Sequence, residues 1–130
     1  MRILIAEDDF SSRNSMLKFL SKYGECDVTV DGLEVLEAFA LALEDGEEYD
    51  LISLDINISE IDGYQVLKQI RQKEEELCIS EERRAKIIMT AAHGQRRNVK
   101  KAFELGCTAY ACKPINKIKF WNALRKLDLI

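Results

Sequence analysis

The chain has one proline, one histidine and one tryptophan in 130 residues, with six glycines. That scarcity excludes a collagen-like, proline-rich or low-complexity chain. Its four cysteines, Cys26, Cys78, Cys107 and Cys112, make no Cys-x-x-Cys pair, and His93 is the single histidine. The ligand set of a structural zinc site is therefore missing. The cysteines read as buried or free thiols in a reducing compartment. No apolar run approaches the ~20 residues of a membrane span. The opening Ile3-Leu4-Ile5-Ala6 stops at Glu7-Asp8-Asp9, too short for the core of a signal peptide. The expectation is a cytoplasmic protein with no membrane partner. Excess positive charge is lacking too. The net charge of -4 argues against a nucleic-acid binder that works through bulk charge.

What is present is an ordinary globular balance of 47% hydrophobic and 32% charged residues. The length fits one domain over residues 1–130, and no effector domain is expected to follow it. The charge is unevenly spread. Residues 1–93 hold 10 basic and 21 acidic side chains, whereas residues 94–130 hold 9 basic and 2 acidic ones. Such an asymmetry reads either as a solvated face or as a docking surface for an acidic partner.

Short apolar runs alternate with helical patterns. Strands are expected at Arg2–Ala6, Cys26–Val30, Leu51–Leu54, Lys86–Thr90 and Thr108–Cys112. Helices are expected over Ser11–Tyr23, from Asp31-Gly32 to Asp45-Gly46, from Asp62-Gly63, over 95–105 and over Asn116–Leu127. The charged stretch Arg71–Lys86 reads as a frayed helix end and a solvated loop. His93 falls in the loop after the fourth strand, where it reads as a loop histidine. Five strand–helix pairs predict a five-stranded parallel sheet with helices on both faces, a doubly wound α/β fold. In such folds the functional residues gather at the carboxyl ends of the strands.

The predicted strand ends carry Glu7-Asp8-Asp9, Asp55, Thr90-Ala91 and Lys113-Pro114. Carboxylates crowded on adjacent strand ends repel one another and need a cation. Hard oxygen ligands of this kind favour Mg²⁺, which commonly bridges protein carboxylates and phosphoryl oxygens. Lys113 can act as a point charge beside them, and the Lys113–Pro114 bond is a candidate cis peptide. The Thr90 hydroxyl can hydrogen-bond a phosphoryl oxygen. Tyr110, three residues before Lys113, reads either as a half-buried aromatic or as a ring that turns when the neighbouring loop moves.

Four segments together resemble the receiver domain of two-component response regulators, and the single-domain chemotaxis kind in particular. They are residues 2–9 (Arg-Ile-Leu-Ile-Ala-Glu-Asp-Asp), 49–63 (Tyr-Asp-Leu-Ile-Ser-Leu-Asp-Ile-Asn-Ile-Ser-Glu-Ile-Asp-Gly), 87–91 (Ile-Ile-Met-Thr-Ala) and 106–115 (Gly-Cys-Thr-Ala-Tyr-Ala-Cys-Lys-Pro-Ile). The resemblance implies a flavodoxin-like (βα)5 fold and Asp55 as phosphoacceptor. It implies Asp8 and Asp55 as Mg²⁺ ligands, with the backbone carbonyl of Asn57 as a third and Glu7 acting through a metal-bound water. Asp9 then falls to a helix cap, in a register set by Arg13. Thr90 and Lys113 would bind phosphoryl oxygens, and Tyr110 would be the switch aromatic. The implied partners are a sensor histidine kinase or a histidine phosphotransfer protein. A downstream protein would dock on the basic face that carries Arg96, Arg97, Lys100, Lys101, Lys117, Lys119, Arg125 and Lys126. The chain would be a monomer or an activation-dependent dimer. Not an enzyme in the ordinary sense, it would catalyse only its own phosphorylation and dephosphorylation.

Some positions depart from the common pattern of that family. Ser59 stands where many receivers have proline, and the resemblance implies that Asn57 and Ala92 occupy the positions that tune phosphoryl lifetime in that family. Two alternatives compete with the receiver reading. One is a degenerate receiver that binds without phosphorylation. The other is a haloacid-dehalogenase-like phosphatase, suggested by Asp55-Ile56-Asn57. Asn57 cannot serve as that class's general acid, and Glu7, Asp8, Asp55, Thr90 and Lys113 are all in place against the degenerate reading.

Overall fold

The computed structural model describes residues 1–92 and 97–130. Five strands alternate with five helices: β1 (Arg2–Ala6), α1 (Phe10–Leu20), β2 (Glu25–Thr29), α2 (Gly32–Glu44), β3 (Leu51–Asp55), α3 (Gly63–Glu76), β4 (Lys86–Ala91), α4 (Arg97–Glu104), β5 (Ala109–Cys112) and α5 (Lys117–Lys126). All neighbouring strands pair parallel, in the order β2-β1-β3-β4-β5. The doubly wound fold expected from the alternation is the one observed.

The central strands are apolar on both sides because both sides are covered. Successive side chains in a strand point to opposite faces. Leu4, Ile52, Leu54, Ile87 and Met89 meet Val35 and Phe39 of α2, Val66, Leu67 and Ile70 of α3, and Ala102 of α4. Ile3, Ile5, Leu51 and Ile88 meet Met16, Phe19 and Leu20 of α1 and Phe120 and Leu124 of α5. Each fully buried Leu or Ile contributes about 1.5–3 kcal/mol. Phe120 is therefore core. Its neighbour Trp121 packs at the rim, with the Arg125 guanidinium 5.1 Å from its ring.

Four helices begin on a side chain that caps the first turn. Asp9, Asp31, Asp62 and Asn116 accept the backbone N–H of Ser12, Glu34, Gln65 and Lys119 respectively. Asp9 is the helix cap expected of it. α1 ends earlier than the apolar spacing suggests, at Leu20 rather than Tyr23. Tyr23 still packs edge-on against Phe19, with ring centroids 5.7 Å apart, from a turn. The expected start of the fourth helix, together with His93, Arg96 and the side chain of Arg97, lies outside the described residues.

The stretch 71–86 departs from its expectation. α3 continues to Glu76, and a short 3-10 turn follows at Glu81–Arg83. Glu75, Glu76, Glu81 and Glu82 are solvated as expected, but Glu74 is buried at 2% exposure and pairs with Arg71 at 2.7 Å. The physical reason lies in unsatisfied backbone groups where α3, β4 and the α4–β5 turn meet. The Arg71 guanidinium donates to the carbonyls of Gly106 and Ala85, and Glu74 accepts the N–H of Ala85. Thr108 Oγ1 lies 3.4 Å from Arg71 and accepts the N–H of Ile87.

Candidate functional site

Strand connections leave β1 in opposite directions, toward β2 on one side and β3 on the other. A cleft opens at the carboxyl ends of the strands where the order reverses. Glu7 and Asp8 follow β1 there, and Asp55 ends β3. Asp55 is held in place by its neighbours. Gly63, the first residue of α3, touches the end of β3 so closely that a Cβ would lie 2.7 Å from the Asp55 carbonyl and from Ile56 Cα. Only glycine permits that approach. Asp55 pairs with Thr90 across β3 and β4, and the N–H of Ile56 donates to the Thr90 carbonyl at 2.9 Å.

The carboxylates of Glu7, Asp8 and Asp55 each offer an oxygen within 4.8 Å of the others. Glu7 and Asp55 are buried, each 4% exposed, while Asp8 is open to solvent. Lys113 reaches in from the end of β5. Its ammonium donates to Asp55 Oδ2 at 3.1 Å and to Glu7 Oε1. The N–H of Asn57 donates to Asp55 Oδ1 at 3.1 Å, and the N–H of Asp9 to Glu7 Oε2 at 3.3 Å. Lys113–Pro114 is a cis peptide, as expected. Arg13 bonds the carbonyls of Glu7 and Asp8 at 3.1 and 3.3 Å, which fixes the loop bearing both acids. The sequence marked Arg13 only by its distance from Asp8; this role was not legible there.

Charge is strained in this cleft. Burial raises the Glu7 carboxyl to about 7, with Asp55 adding to the rise and Lys113 opposing it. For Lys113, burial works against the charge. Hydrogen bonds and attraction to Glu7 and Asp55 outweigh it and hold the ammonium above its usual range. Without a metal, the folded chain keeps a proton on Glu7 that the unfolded chain releases above the ordinary glutamate range. Stability from that proton is complete below that range and is lost as pH rises through about 7. The thermal midpoint of the metal-free protein should therefore fall between about pH 5 and about pH 8. Glu7→Gln should flatten that fall. A parent profile already flat over this window would show that Lys113 fully neutralises Glu7.

Three oxygen acids without a sulfur or imidazole donor suit a hard divalent cation, and the cluster fits Mg²⁺ by its donor chemistry. Beside it lies a cavity of about 270 Å³, lined by Glu7, Thr90 and Lys113 and also by Ser53 and the α1 serines Ser11 and Ser15. Nothing in the local sequence marks those serines as cavity-lining residues. Tyr110 pairs with Met89 and packs toward the α2–α3–α4 side. Its hydroxyl is buried with no hydrogen-bond partner among the described residues. Burial first, then Tyr64, Cys112 and Cys107, pushes that phenol up to about 12. The structure thus brings Glu7, Asp8, Asp55 and Lys113 together, and places Thr90 on the strand beside Asp55 and Tyr110 one strand further.

The response regulator receiver domain family matches residues 3–125. The chain belongs to that family. It is a receiver, of the kind found in chemotaxis proteins and in hybrid kinases. It is 30% identical over 126 residues to the chemotaxis protein CheY of Listeria monocytogenes, covering 97% of both chains. It is 28% identical over 126 residues to hybrid signal transduction histidine kinase L of Dictyostelium discoideum, covering 96% of this chain but 7% of that protein. Among solved structures, the receiver domain of Saccharomyces cerevisiae Ssk1, crystallised with the histidine phosphotransfer protein Ypd1, superposes with a TM-score of 0.81 at 24% identity. The match covers 98% of this chain and 88% of that one, and it shows the receiver fold. Membership places the chain in a signalling family rather than among classical enzymes. No helix among the described residues is long and apolar enough to cross a membrane.

Proposed function

We propose that this receiver accepts a phosphoryl group on Asp55 from a phosphohistidine and signals by protein contact. The donor would be a sensor histidine kinase or a histidine phosphotransfer protein, as the Ypd1–Ssk1 complex exemplifies for a relative of the same fold. The observation that carries this reading is the Lys113 ammonium shared between buried Glu7 and buried Asp55, with Asp8 open beside them. A carboxylate is a usable nucleophile once its charge is offset. Phosphoryl transfer needs positioning and charge neutralisation more than acid–base chemistry.

An Asp55 oxygen attacks phosphorus in line. The phosphorus–nitrogen bond of the donor breaks, and the imidazole leaves with the electron pair. Lys113 and the Thr90 hydroxyl hold the phosphoryl oxygens. Asp8, Asp55 and the Asn57 carbonyl would hold Mg²⁺, with Glu7 acting through water; when bound, the ion supplies positive charge to the transferring group. Later attack by water at the phosphorus of the aspartyl phosphate breaks the bond to the Asp55 oxygen, releases inorganic phosphate and restores the carboxylate. Thr90 drawn toward the new phosphoryl group frees space for the Tyr110 ring, which remodels the face of α4, β5 and α5. On that face Lys100, Lys101, Lys117, Lys119, Arg125 and Lys126 are exposed, which suits an acidic downstream protein. Residues 1–130 act here as one receiver unit, a monomer or an activation-dependent dimer.

The test is acetyl phosphate with Mg²⁺, read by intact mass. One phosphoryl adduct is expected, and chelation of the metal should abolish it. No adduct in a protein that still binds Mg²⁺ would favour a receiver that works without phosphorylation.

A further inference from the structure

The two edges of the sheet are treated differently. β2, at one edge, carries Glu25 and Asp27, and charged side chains on an edge discourage pairing with another chain. β5, at the other edge, reads Ala109-Tyr110-Ala111-Cys112, with no charge, no proline and no bulge. The N–H of Thr108 is spent on the Ile87 carbonyl at 2.7 Å. At the other end of β5 the N–H of Lys113 donates to the Ala91 carbonyl at 2.7 Å, with Ala91 in register with Cys112. Backbone groups alternate in direction along a strand, so Ala109 and Ala111 face β4 as Lys113 does, while Tyr110 and Cys112 turn their N–H and C=O groups to the open edge. No described strand pairs with them.

Space runs along this edge between β5 and α5. A cleft of about 720 Å³ is floored by Ile88 and Phe120 and walled by Ala111 and Lys119. A second cleft of about 420 Å³ continues it past Ala109, Asn122 and Lys126. Alanine at 109, 111 and 123 keeps the edge uncluttered. Lys119 and Lys126 are exposed beside the clefts and make no ion pair among the described residues.

We propose that the β5 edge adds an extended acidic segment of a partner protein as a sixth strand. Backbone hydrogen bonds to Tyr110 and Cys112 would seat it, and Lys119 and Lys126 would select its acidic side chains. A second copy of this chain is the poorer occupant. Symmetric β5–β5 pairing would bring both sets of α5 cations together, and like charges in apposition oppose association. The proposal rests on the basic-face reading of docking and specifies its mode; it does not depend on Asp55 being the phosphoacceptor.

The probe is a fluorescein-labelled peptide, Glu-Val-Thr-Val-Asp-Val-Glu, tested against the full chain before and after acetyl phosphate treatment. Its control carries N-methyl groups on alternate amides, which keeps charge and side chains but removes edge pairing. The unmodified peptide should bind saturably and slow amide exchange at Tyr110 and Cys112. The N-methylated peptide should bind roughly tenfold more weakly, and the Lys119→Glu/Lys126→Glu variant should weaken the unmodified peptide by a similar factor. Equal binding of both peptides would overturn strand addition while leaving the basic face as a docking surface. Protection confined to other amides, or no binding up to millimolar peptide, would overturn it as well. Self-association that protects the same amides without peptide would assign the edge to a second copy instead. An Asp55 adduct measured on the same samples reports separately on phosphorylation.

Discussion

Asp55→Asn should carry no phosphoryl adduct after acetyl phosphate and Mg²⁺, under conditions that label the parent. Asparagine has nearly the shape of aspartate, so the contacts of residue 55 with the backbone of β4 and with Gly63 survive. What disappears is the oxygen proposed as nucleophile and one of three carboxylates in the cluster. Glu7 is a poor substitute, because burial raises its carboxyl to about 7 and a protonated carboxyl has no negative oxygen to attack with. Asp8 is exposed and lacks the contact with Lys113 that offsets the charge of Asp55. Mg²⁺ affinity should fall as well, since one negative charge of the three-acid cluster is lost. Stability should hold or rise, because fewer like charges then crowd the cleft. Circular dichroism and a thermal melt separate these effects from misfolding. A full-yield adduct on the variant would place the phosphoryl group elsewhere, and peptide mapping would locate it.

The parts of this protein legible in its sequence are those set by short-range rules. The three inner strands were visible because burial on both faces makes them continuous apolar runs, as in Ile3–Ala6 and Ile87–Met89. The starts of α2 and α3 were visible because Asp31-Gly32 and Asp62-Gly63 put a cap beside a residue that must approach another backbone. The acidic cleft was visible because parallel topology collects strand ends, so Glu7, Asp8, Asp55 and Lys113 could be grouped without a contact map. Long-range satisfaction of backbone groups was not visible. Arg71 and Glu74 look like any i,i+3 pair on a solvated helix, and nothing local says that Ala85 and Gly106 await them. The difference between Phe120 and Trp121 was hidden for a similar reason, since it depends on where α5 meets Phe19, 5.8 Å from the Phe120 ring.

Arg71→Met should be the most destabilising single change away from the cleft, costing about 3–5 kcal/mol, the usual result of stranding one partner of a buried ion pair. Glu74, at 2% exposure, would keep its bond from the Ala85 N–H but lose its cation. The carbonyls of Gly106 and Ala85 would each lose a donor. Gly106 sits at φ 105 in the turn that leads from α4 into β5, so the damage falls on the segment that sets the register of β5 against β4. For a chain of this size the loss corresponds to a drop of roughly 10 °C or more in the thermal midpoint. Glu74→Leu should cost a comparable amount, because it leaves the Arg71 charge uncompensated and the Ala85 N–H unbonded. The double variant Arg71→Met/Glu74→Leu should be markedly less unstable than the two losses added together, since apolar side chains of similar volume remove both buried charges at once. A double-mutant cycle by urea denaturation measures that coupling directly. Additive losses, or an Arg71→Met cost below about 1 kcal/mol, would mean that the pair behaves as a solvated surface contact and that α3 is held to β4 by its apolar face alone.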